Sequence, residues 1–275
     1  MGNQVIIVVS CKLKKEKQCG KNKWRCTVRG EECLVSSKYG RLCTQNMDEA
    51  TGVFDISEME WIDIRIYNVQ KNNMVGIQGD SAEYEYLTEA VRLSKDVKGL
   101  CIELGVRRGM GCKTLMDAVK EYCPDKSVIG VDPYGNIEYF HKENEKVRLD
   151  YTNTMKNEAM QALYAYSESI GVYFNHYTLE DTEFFNSFKN GVPIYKDFKE
   201  VINQYSVVHF DAPHAVKEIL AEINFFKQRT PKGGCWIFDD ILDFYPHDEE
   251  VEPFIIGLGF ELIKKGNKKA LYQRI

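Results

Sequence analysis

Residues 100–134, LCIELGVRRGMGCKTLMDAVKEYCPDKSVIGVDPY, contain the pattern that decides the fold. The first five residues are an apolar run interrupted only by Glu103, and the run ends at Gly105. Apolar residues then recur with the period of a helix that buries one face, and residues 128–131 form a second apolar run that Asp132 closes. Two buried parallel strands joined by a helix make a right-handed βαβ unit. The stretch therefore predicts an α/β domain with a parallel sheet.

The glycine spacing in this stretch distinguishes between classes of ligand. The order Glu103, Gly105, Gly109, Gly111 differs from the G-x-G-x-x-G fingerprint of NAD-binding proteins, so an NAD-dependent oxidoreductase is disfavoured. An acid two residues before the first glycine suits a ligand with a positive group, and Asp132 suits ribose hydroxyls. The alternative is a glycine-rich turn in some other α/β protein. The motif resembles the first motif of class I S-adenosylmethionine (SAM) methyltransferases. That resemblance implies that the four residues and Asp132 bind SAM.

The later segments favour the same family. Residues 172–177, 206–210 and 235–238 are predicted strands, and residues 260–264 and 270–274 flank the turn G-N-K-K as a β-hairpin. Class I methyltransferases end in an antiparallel strand of this kind. The predicted fold class is therefore α/β, a Rossmann-like doubly wound, mostly parallel seven-stranded sheet with an antiparallel C-terminal hairpin. A helix capped by residues 80–83 is expected just before the first core strand.

Composition bounds the broad class of the protein. The chain has 275 residues, of which 44% are hydrophobic and 28% charged, as in soluble globular proteins. No apolar run approaches the roughly 20 residues that cross a bilayer, and no signal peptide is recognised. Five of the nine cysteines lie in residues 1–50 without a C-x-x-C pair, which disfavours a zinc ribbon, and four lie in predicted buried elements. A reducing, cytoplasmic setting is expected.

Charged residues are distributed unevenly along the chain. Residues 1–46 hold ten Lys or Arg against three Glu, a net charge of +7, which leaves −12 for the remainder. We predict an N-terminal accessory segment, residues 1–50, and a methyltransferase domain, residues 51–275. The basic arm is either a solvated face or a contact for an anionic partner. Neither a nucleic acid nor a membrane is expected as a partner, and a homo-oligomer is left open.

Acids end several of the predicted strands. Asp132, Asp211, Asp239 and Asp240 all stand at carboxyl ends, where ligands bind in parallel sheets. The carboxylates of Asp211, Asp239 and Asp240, with no run of Lys or Arg nearby, would repel one another unless a cation lay among them. Hard oxygen ligands suit Mg²⁺, or else Mn²⁺ or Ca²⁺. The alternative for Asp211 and Asp239 is that each caps the helix or turn that follows it.

Residues 210–214 (FDAPH) and 233–240 (GGCWIFDD) resemble the metal-dependent macrocin O-methyltransferase and cephalosporin-hydroxylase-like branch of these enzymes. The resemblance covers roughly residues 80–275. It implies a Mg²⁺ or Mn²⁺ site at Asp211, Asp239 and Asp240, while related methyltransferases place adenine contacts at Glu180 and Asp181. Arg107 and Arg108 in the glycine loop, and Pro213 before His214, depart from the family pattern. The candidate cofactor-binding residues are therefore Glu103, Gly105, Gly109, Gly111, Asp132, Glu180 and Asp181. The candidate metal ligands are Asp211, Asp239 and Asp240, and the candidate catalytic residues are His214 and Asp211.

The implied reaction is methyl transfer from SAM to a hydroxyl of a sugar (glycan) or another small hydroxylated acceptor. In this mechanism Mg²⁺ holds two neighbouring hydroxyls and lowers the pKa of one, and His214 or Asp211 removes its proton. His214 at a helix start can equally be a hydrogen-bonding surface residue. Two alternatives remain: a metal-independent SAM methyltransferase acting on nitrogen or a macromolecule, and a catalytically idle SAM-fold binding module.

Overall fold

The computed structural model describes residues 23–25, 32–36, 41–46, 53–55, 60–63, 77–142, 145–213, 215–242 and 245–275. The chain divides into two compact units, Met1–Lys71 and Asn72–Ile275. The strands of the first unit are β1 (Lys23–Arg25), β2 (Glu32–Ser36), β3 (Arg41–Asn46), β4 (Val53–Asp55) and β5 (Glu60–Asp63). There, β1 pairs with β4, and β2, β3 and β5 form an antiparallel sheet. The domain division after residue 50 stays a prediction.

The second unit contains eleven strands among the described residues. They are β6 (Leu100–Leu104), β7 (Ser127–Val131), β8 (Gly135–Lys142), β9 (Glu145–Tyr151), β10 (Tyr173–Tyr177), β11 (Val192–Tyr195), β12 (Lys199–Ile202), β13 (Tyr205–Phe210), β14 (Cys235–Phe238), β15 (Phe260–Lys265) and β16 (Ala270–Arg274). The helices are α1 (Glu85–Leu93), α2 (Met110–Tyr122), α3 (Asn153–Ile170), α4 (Asp181–Ser187), α5 (Val216–Phe226) and α6 (Glu252–Gly257). A π-helical turn, His247–Val251, precedes α6.

Seven of these strands form the central sheet, in the order β10-β7-β6-β13-β14-β16-β15. All neighbouring pairs from β10 to β14 are parallel, and β16 runs antiparallel to both β14 and β15. The predicted mostly parallel seven-stranded sheet with an antiparallel C-terminal hairpin is therefore confirmed.

Apolar side chains cover both faces of the sheet, because alternate residues of each strand point to opposite sides. One face, with Val207 and Ile237, packs against α1 and α2. The other, with Val208 and Trp236, packs against α5. A sheet covered on both faces needs strands that are apolar at nearly every position, which explains the continuous runs in the sequence. Glu103 and His209 are polar exceptions on the face that α1 and α2 cover.

The helix before β6 begins differently from the prediction. α1 starts at Glu85, and no side chain caps its first turn. Glu83 instead adopts a left-handed φ of 59°, and its carboxylate accepts hydrogen bonds from the backbone N–H groups of residues 267–269. The predicted cap is wrong because Glu83 contacts residues about 184 positions away in sequence, which no local pattern reveals.

Two hairpins were not predicted. β8 and β9 form an antiparallel ribbon after β7, and β11 pairs with β12 between α4 and β13. The sequence does carry a signal for each hairpin: polar and apolar residues alternate over residues 146–151, and Val192 and Ile194, both buried, alternate in β11.

The four cysteines that the sequence places in the core are free thiols: Cys101, Cys112 and Cys235 are buried, and Cys123 is half-buried. Among the described helices, none combines the length and apolar character that crossing a membrane requires.

Candidate active site

The strand order reverses between β6 and β13, and this reversal places a crevice at the carboxyl edge of the sheet. The helices that follow these two strands, α2 and α5, pack on opposite faces. The parallel ladder continues one residue further, because the Asp211 N–H donates to the Leu104 carbonyl at 3.0 Å. Gly105 and Asp211 are consequently in contact. A Cβ at Gly105, where φ is 85°, would lie 1.9 Å from the Asp211 carbonyl oxygen.

Asp132, which follows β7, holds the glycine loop in place. Its Oδ2 accepts hydrogen bonds from the backbone N–H groups of Val106 and Arg107, at 3.0 and 2.8 Å. Its Oδ1 accepts from the N–H of Tyr134 at 2.8 Å. Burial raises the pKa of Asp132, and the three N–H groups partly offset that rise. These bonds stabilise Arg107, whose left-handed φ of 44° is unfavourable for a side chain with a Cβ.

A second set of contacts braces the outer side of the loop. The Arg107 guanidinium pairs with Asp80 at 2.6 Å, and the Tyr134 hydroxyl donates to the Arg107 carbonyl at 2.6 Å. Gln78 N–H donates to the Arg108 carbonyl at 3.2 Å, so the segment before α1 lies beside the loop. The backbone of the loop is therefore shaped before any ligand binds, as a cofactor loop requires.

Glu103 lies beneath the first turn of α2. A Cβ at Gly111 would meet its Oε1 at 1.6 Å, so this glycine is required by the packing of Glu103. Burial raises the pKa of Glu103 to about 8 against opposing hydrogen bonds from Cys112. His209 Nδ1 lies 3.0 Å from Glu103 Oε1, and burial, together with the charge of Lys269, lowers the pKa of His209 well below its usual range. Both shifts favour the uncharged forms of the two groups.

The three predicted metal ligands have different surroundings. Asp239 is 1% exposed, and its carboxylate binds the Lys269 ammonium, the Ser81 hydroxyl and the Asp240 N–H. Asp240 pairs with Lys268 at 3.2 Å. Asp211 is half-buried, and burial together with the charge of Asp239 raises its pKa well above the usual range.

This donor set does not fit a divalent metal. Mg²⁺ requires carboxylate oxygens that converge on one point, but Oδ2 of Asp239 holds an ammonium and Oδ1 holds two other donors. Among the described residues, one cluster of three acid or imidazole groups has ligand atoms that all lie within 4.8 Å of one another: Glu103, His209 and Asp211. That set contains only one of the predicted ligands. The metal ligands therefore stay a prediction.

The structure places the remaining predicted residues as follows. Gly109 adopts a left-handed φ of 82° at the start of α2. Glu180 caps α4 through a reciprocal capping box with Glu183. Asp181 accepts from the Thr182 N–H, and burial raises its pKa. His214 lies outside the described residues. Cofactor contacts by these residues, and by Glu103, Gly105, Gly111 and Asp132, stay predictions.

Sequence reasoning missed Lys269, the buried cation of this edge. Lys269 was assigned to the turn of the C-terminal hairpin, where a lysine is usually solvated. The signal that could have identified it is the register of β16: Phe238 pairs with Ala270, so the next residues outward, Asp239 and Lys269, stand opposite each other. That register depends on pairing between segments distant in sequence.

The carboxyl edge thus combines a preshaped glycine loop with a half-buried carboxyl group, Asp211, beside it. Two surface depressions, of about 420 and 500 Å³, lie elsewhere, and neither is lined by a residue of this edge. The edge therefore offers a carboxyl group of raised pKa next to a loop whose backbone is held in shape by Asp132.

Comparison with known proteins agrees with this geometry. A family model described as a methyltransferase domain matches residues 102–241, just over half of the chain. The matched range begins in β6 and ends after β14, so it contains both the glycine loop and the three aspartates. No curated protein matches the chain significantly in sequence.

Several solved structures are similar to this chain. The calicheamicin methyltransferase CalS11 is 12% identical, with a TM-score of 0.52 over 76% of this chain and 91% of that chain. A putative caffeoyl-CoA O-methyltransferase from Staphylococcus aureus is 14% identical, covering 76% and 92%, with a TM-score of 0.46. An O-methyltransferase from Bacillus cereus, solved with SAH, is 11% identical, covering 78% and 92%, with a TM-score of 0.45. The likeness to CalS11 concerns the fold.

Proposed function

The chain belongs to the methyltransferase-domain family, and we propose that it transfers the methyl group of SAM to a hydroxyl oxygen of a small acceptor, such as a sugar. The recognition of a class I SAM-dependent methyltransferase is confirmed by the family match over residues 102–241 and by the seven-stranded sheet. The proposal concerns what lies beyond the family: the acceptor atom, the acceptor class and the residues that act on them.

One observation carries the proposal, the contact between Gly105 and Asp211. It brings the loop that follows β6 against the acid that follows β13, at the point where the strand order reverses. The contact is with the Asp211 backbone, and the Asp211 carboxylate lies within 4.8 Å of the Glu103 carboxylate, which packs beneath the helix that the loop opens. A group bound on the loop would therefore lie near the Asp211 carboxyl. Positioning of two reactants accounts for a large part of the rate in such transfers.

The residues have separable roles in this step. Bound SAM supplies a methyl group on a positively charged sulfur. Asp132 keeps the glycine loop in its binding shape through Val106 and Arg107. Asp211 would accept the proton of the acceptor hydroxyl as that oxygen bonds to the methyl carbon and the carbon–sulfur bond breaks, which releases S-adenosylhomocysteine; His214 is the alternative base. Carboxylates at the edge also favour a positively charged donor over the anionic pyrophosphate of a dinucleotide.

The oxygen and sugar parts of the proposal are supported by the resemblance of residues 210–214 and 233–240 to the macrocin O-methyltransferase branch. Mg²⁺ or Mn²⁺ at Asp211, Asp239 and Asp240 remains a sequence-based prediction, to which no step is assigned because lysines already bind the carboxylates of Asp239 and Asp240. Partners other than the acceptor, a homo-oligomer and a cytoplasmic setting also remain predictions. The competing functions are a methyltransferase of nitrogen or of a macromolecule, and an idle SAM-binding module.

The test is an assay of methyl transfer from labelled SAM to a panel of free sugars, nucleotide sugars, catechols, amines, nucleic acid and protein. We expect methylation of a hydroxyl acceptor. Asp211→Asn should lower kcat by about 10²-fold or more, the usual scale for loss of a general base. The matched control is Asp125→Asn, an exposed aspartate in the connection between α2 and β7, which should keep wild-type activity.

Each other outcome favours a different function. Methylation of amines or macromolecules alone would contradict the hydroxyl acceptor. SAM binding without transfer to any acceptor class would favour the binding module. Full activity of Asp211→Asn would exclude Asp211 as the base and direct attention to His214.

A further inference from the structure

We infer that the buried Lys269 ammonium supplies, from within the chain, the positive charge that a divalent cation would supply at this carboxylate edge. The edge then binds no divalent metal. It follows that methyl transfer needs no divalent metal, and this second part of the inference rests on the proposed function. The charge pairing itself is independent of that function.

The register of the sheet places Lys269 opposite Asp239. β14 and β16 are antiparallel, and Phe238 pairs with Ala270 as the last pair of the ladder. The next pair outward is Asp239 and Lys269, and the Ile241 N–H donates to the Lys268 carbonyl at 3.1 Å beyond it. The ion pair is therefore fixed by backbone pairing rather than by the chance position of a long side chain.

The ammonium is enclosed by groups that suit a cation. Lys269 Nζ binds Asp239 Oδ2, lies 3.3 Å from the Ser81 hydroxyl oxygen, and sits 5.2 Å from the centre of the Tyr84 ring. The two side chains of the ion pair are 0% and 1% exposed. Two of the three ammonium donors thus have oxygen acceptors, and the aromatic face is a favourable neighbour for the charge.

The acceptor sites of Asp239 are largely taken. Oδ2 holds the ammonium, while Oδ1 accepts from the Ser81 hydroxyl at 2.9 Å and from the Asp240 N–H at 2.8 Å. A carboxylate offers about four lone-pair directions, and three are used here. A metal at Asp239 would have to displace the lysine, which would leave a buried ammonium without its counter-ion.

The charge balance of the edge points the same way. Asp211, Asp239 and Asp240 carry three negative charges when ionised, and Lys268 and Lys269 bring two positive charges to two of them. The repulsion that favoured a metal from sequence alone is therefore already reduced. Lys269 is also close enough to stabilise negative charge on Asp211 and Glu103. Because its side chain is buried against Asp239, Lys269 acts on the edge through that carboxylate and is a positioning residue.

The test is a titration of Mn²⁺ into the full chain, with free Mn²⁺ followed by electron paramagnetic resonance. Wild type and Lys268→Met, the matched control with a partly exposed lysine, should leave the free signal unchanged. Lys269→Met removes the ammonium but keeps an unbranched side chain, so it should gain a Mn²⁺ site at least about tenfold tighter than any in the wild type. Lys269→Met/Asp239→Asn should lose that site again.

Two results would overturn the inference. One is Mn²⁺ binding by the wild type that Asp211→Asn, Asp239→Asn or Asp240→Asn abolishes. The other is a folded Lys269→Met that binds no Mn²⁺, because the ammonium would then not be what keeps a metal out. Should Lys269→Met fail to fold, wild type and the aspartate variants decide the question.

The readout separates this inference from the proposed function. The titration contains neither SAM nor acceptor, so a failure to find methyl transfer leaves its result standing. Conversely, Mn²⁺ binding by the wild type would leave methyl transfer in place and restore the metal to it. If methyl transfer is found, a chelator should not reduce its rate.

Discussion

Asp132 and Asp239 are both buried aspartates that end parallel strands of one sheet, yet they are stabilised in different ways. Asp132 accepts three backbone N–H groups, two of them from the glycine loop. Asp239 accepts one backbone N–H group, from Asp240, and otherwise depends on the side chains of Ser81 and Lys269.

The difference shows what each aspartate does for the fold. Asp132 fixes the glycine loop through backbone groups that are near it in sequence. Asp239 forms an ion pair with Lys269 and connects β14 to β16 and to the segment before α1. The first aspartate makes a local connection to the backbone, and the second makes a long-range connection through an ion pair.

Breaking the ion pair at Asp239 should have the largest effect on stability. Lys269→Met leaves a buried carboxylate without its counter-ion, for which we expect a loss of about 3–5 kcal/mol in the free energy of unfolding. The measurement is urea unfolding followed by tryptophan fluorescence, since Trp236 lies in β14.

The matched control is Lys268→Met. Its partner is also an aspartate, but the Lys268 side chain is 36% exposed, so the expected cost is below about 1 kcal/mol. Lys269→Met/Asp239→Asn, which removes both charges, should recover part of the loss. Equal losses in the two lysine variants would mean that Asp239 does not depend on a buried cation.

Removing the charge of Asp132 tests the local side of the comparison. In Asp132→Asn a single carbonyl oxygen remains, so at least one of the N–H groups of Val106, Arg107 and Tyr134 loses its acceptor. We expect a loss of about 1–3 kcal/mol and weaker SAM binding, because the loop that the carboxylate shapes would relax. Urea unfolding and calorimetric titration of SAM measure the two effects.

Asp125→Asn is the control for this variant, since an exposed aspartate should change stability by less than about 0.5 kcal/mol. A stable Asp132→Asn protein with undiminished SAM affinity would contradict the assignment of Asp132 as the clamp of the loop.

The same contrast explains how much the sequence predicted. The unit from β6 to β7 was found nearly to the residue, because apolar runs, a glycine turn and a closing acid all lie within 35 residues. Asp132 was identified as important for the same reason, although its partners in the structure are backbone groups of the loop.

Contacts between segments far apart in sequence were not predicted. Glu83 was interpreted as part of a helix cap, and Lys269 as a turn residue, because each side chain finds its partner only when β16 pairs with β14. The partners of Glu83 and Lys269 thus depend on tertiary pairing, which local periodicity does not show. The hairpins β8–β9 and β11–β12 differ, because residues 146–151 alternate between polar and apolar and β11 buries Val192 and Ile194, so a local signal was present.

Glu83 offers the smallest effect and the sharpest test of how the Lys269 turn is held. Its carboxylate accepts the backbone N–H groups of Asn267, Lys268 and Lys269 at 2.9, 3.0 and 2.9 Å. Burial works to raise the pKa of Glu83, but these three hydrogen bonds and the charge of Lys269 outweigh it, so the pKa in the folded protein is lowered. The folded state therefore binds fewer protons than the unfolded state near the ordinary carboxyl pKa.

The sign of the pH dependence follows from this proton balance. The stability contributed by ionised Glu83 is present above the ordinary carboxyl pKa and is lost as the pH falls through the lower pKa of the folded protein. Glu83→Gln should therefore be less stable than wild type by about 1 kcal/mol at pH 7, and the difference should shrink as the pH falls below about 4.5. Urea unfolding of both proteins from pH 7 to pH 3.5 measures it. Glu85→Gln is the control, because Glu85 is exposed and is the first residue of α1, and it should show no such convergence. A Glu83→Gln difference that stays constant with pH would mean that the turn is held without the Glu83 charge.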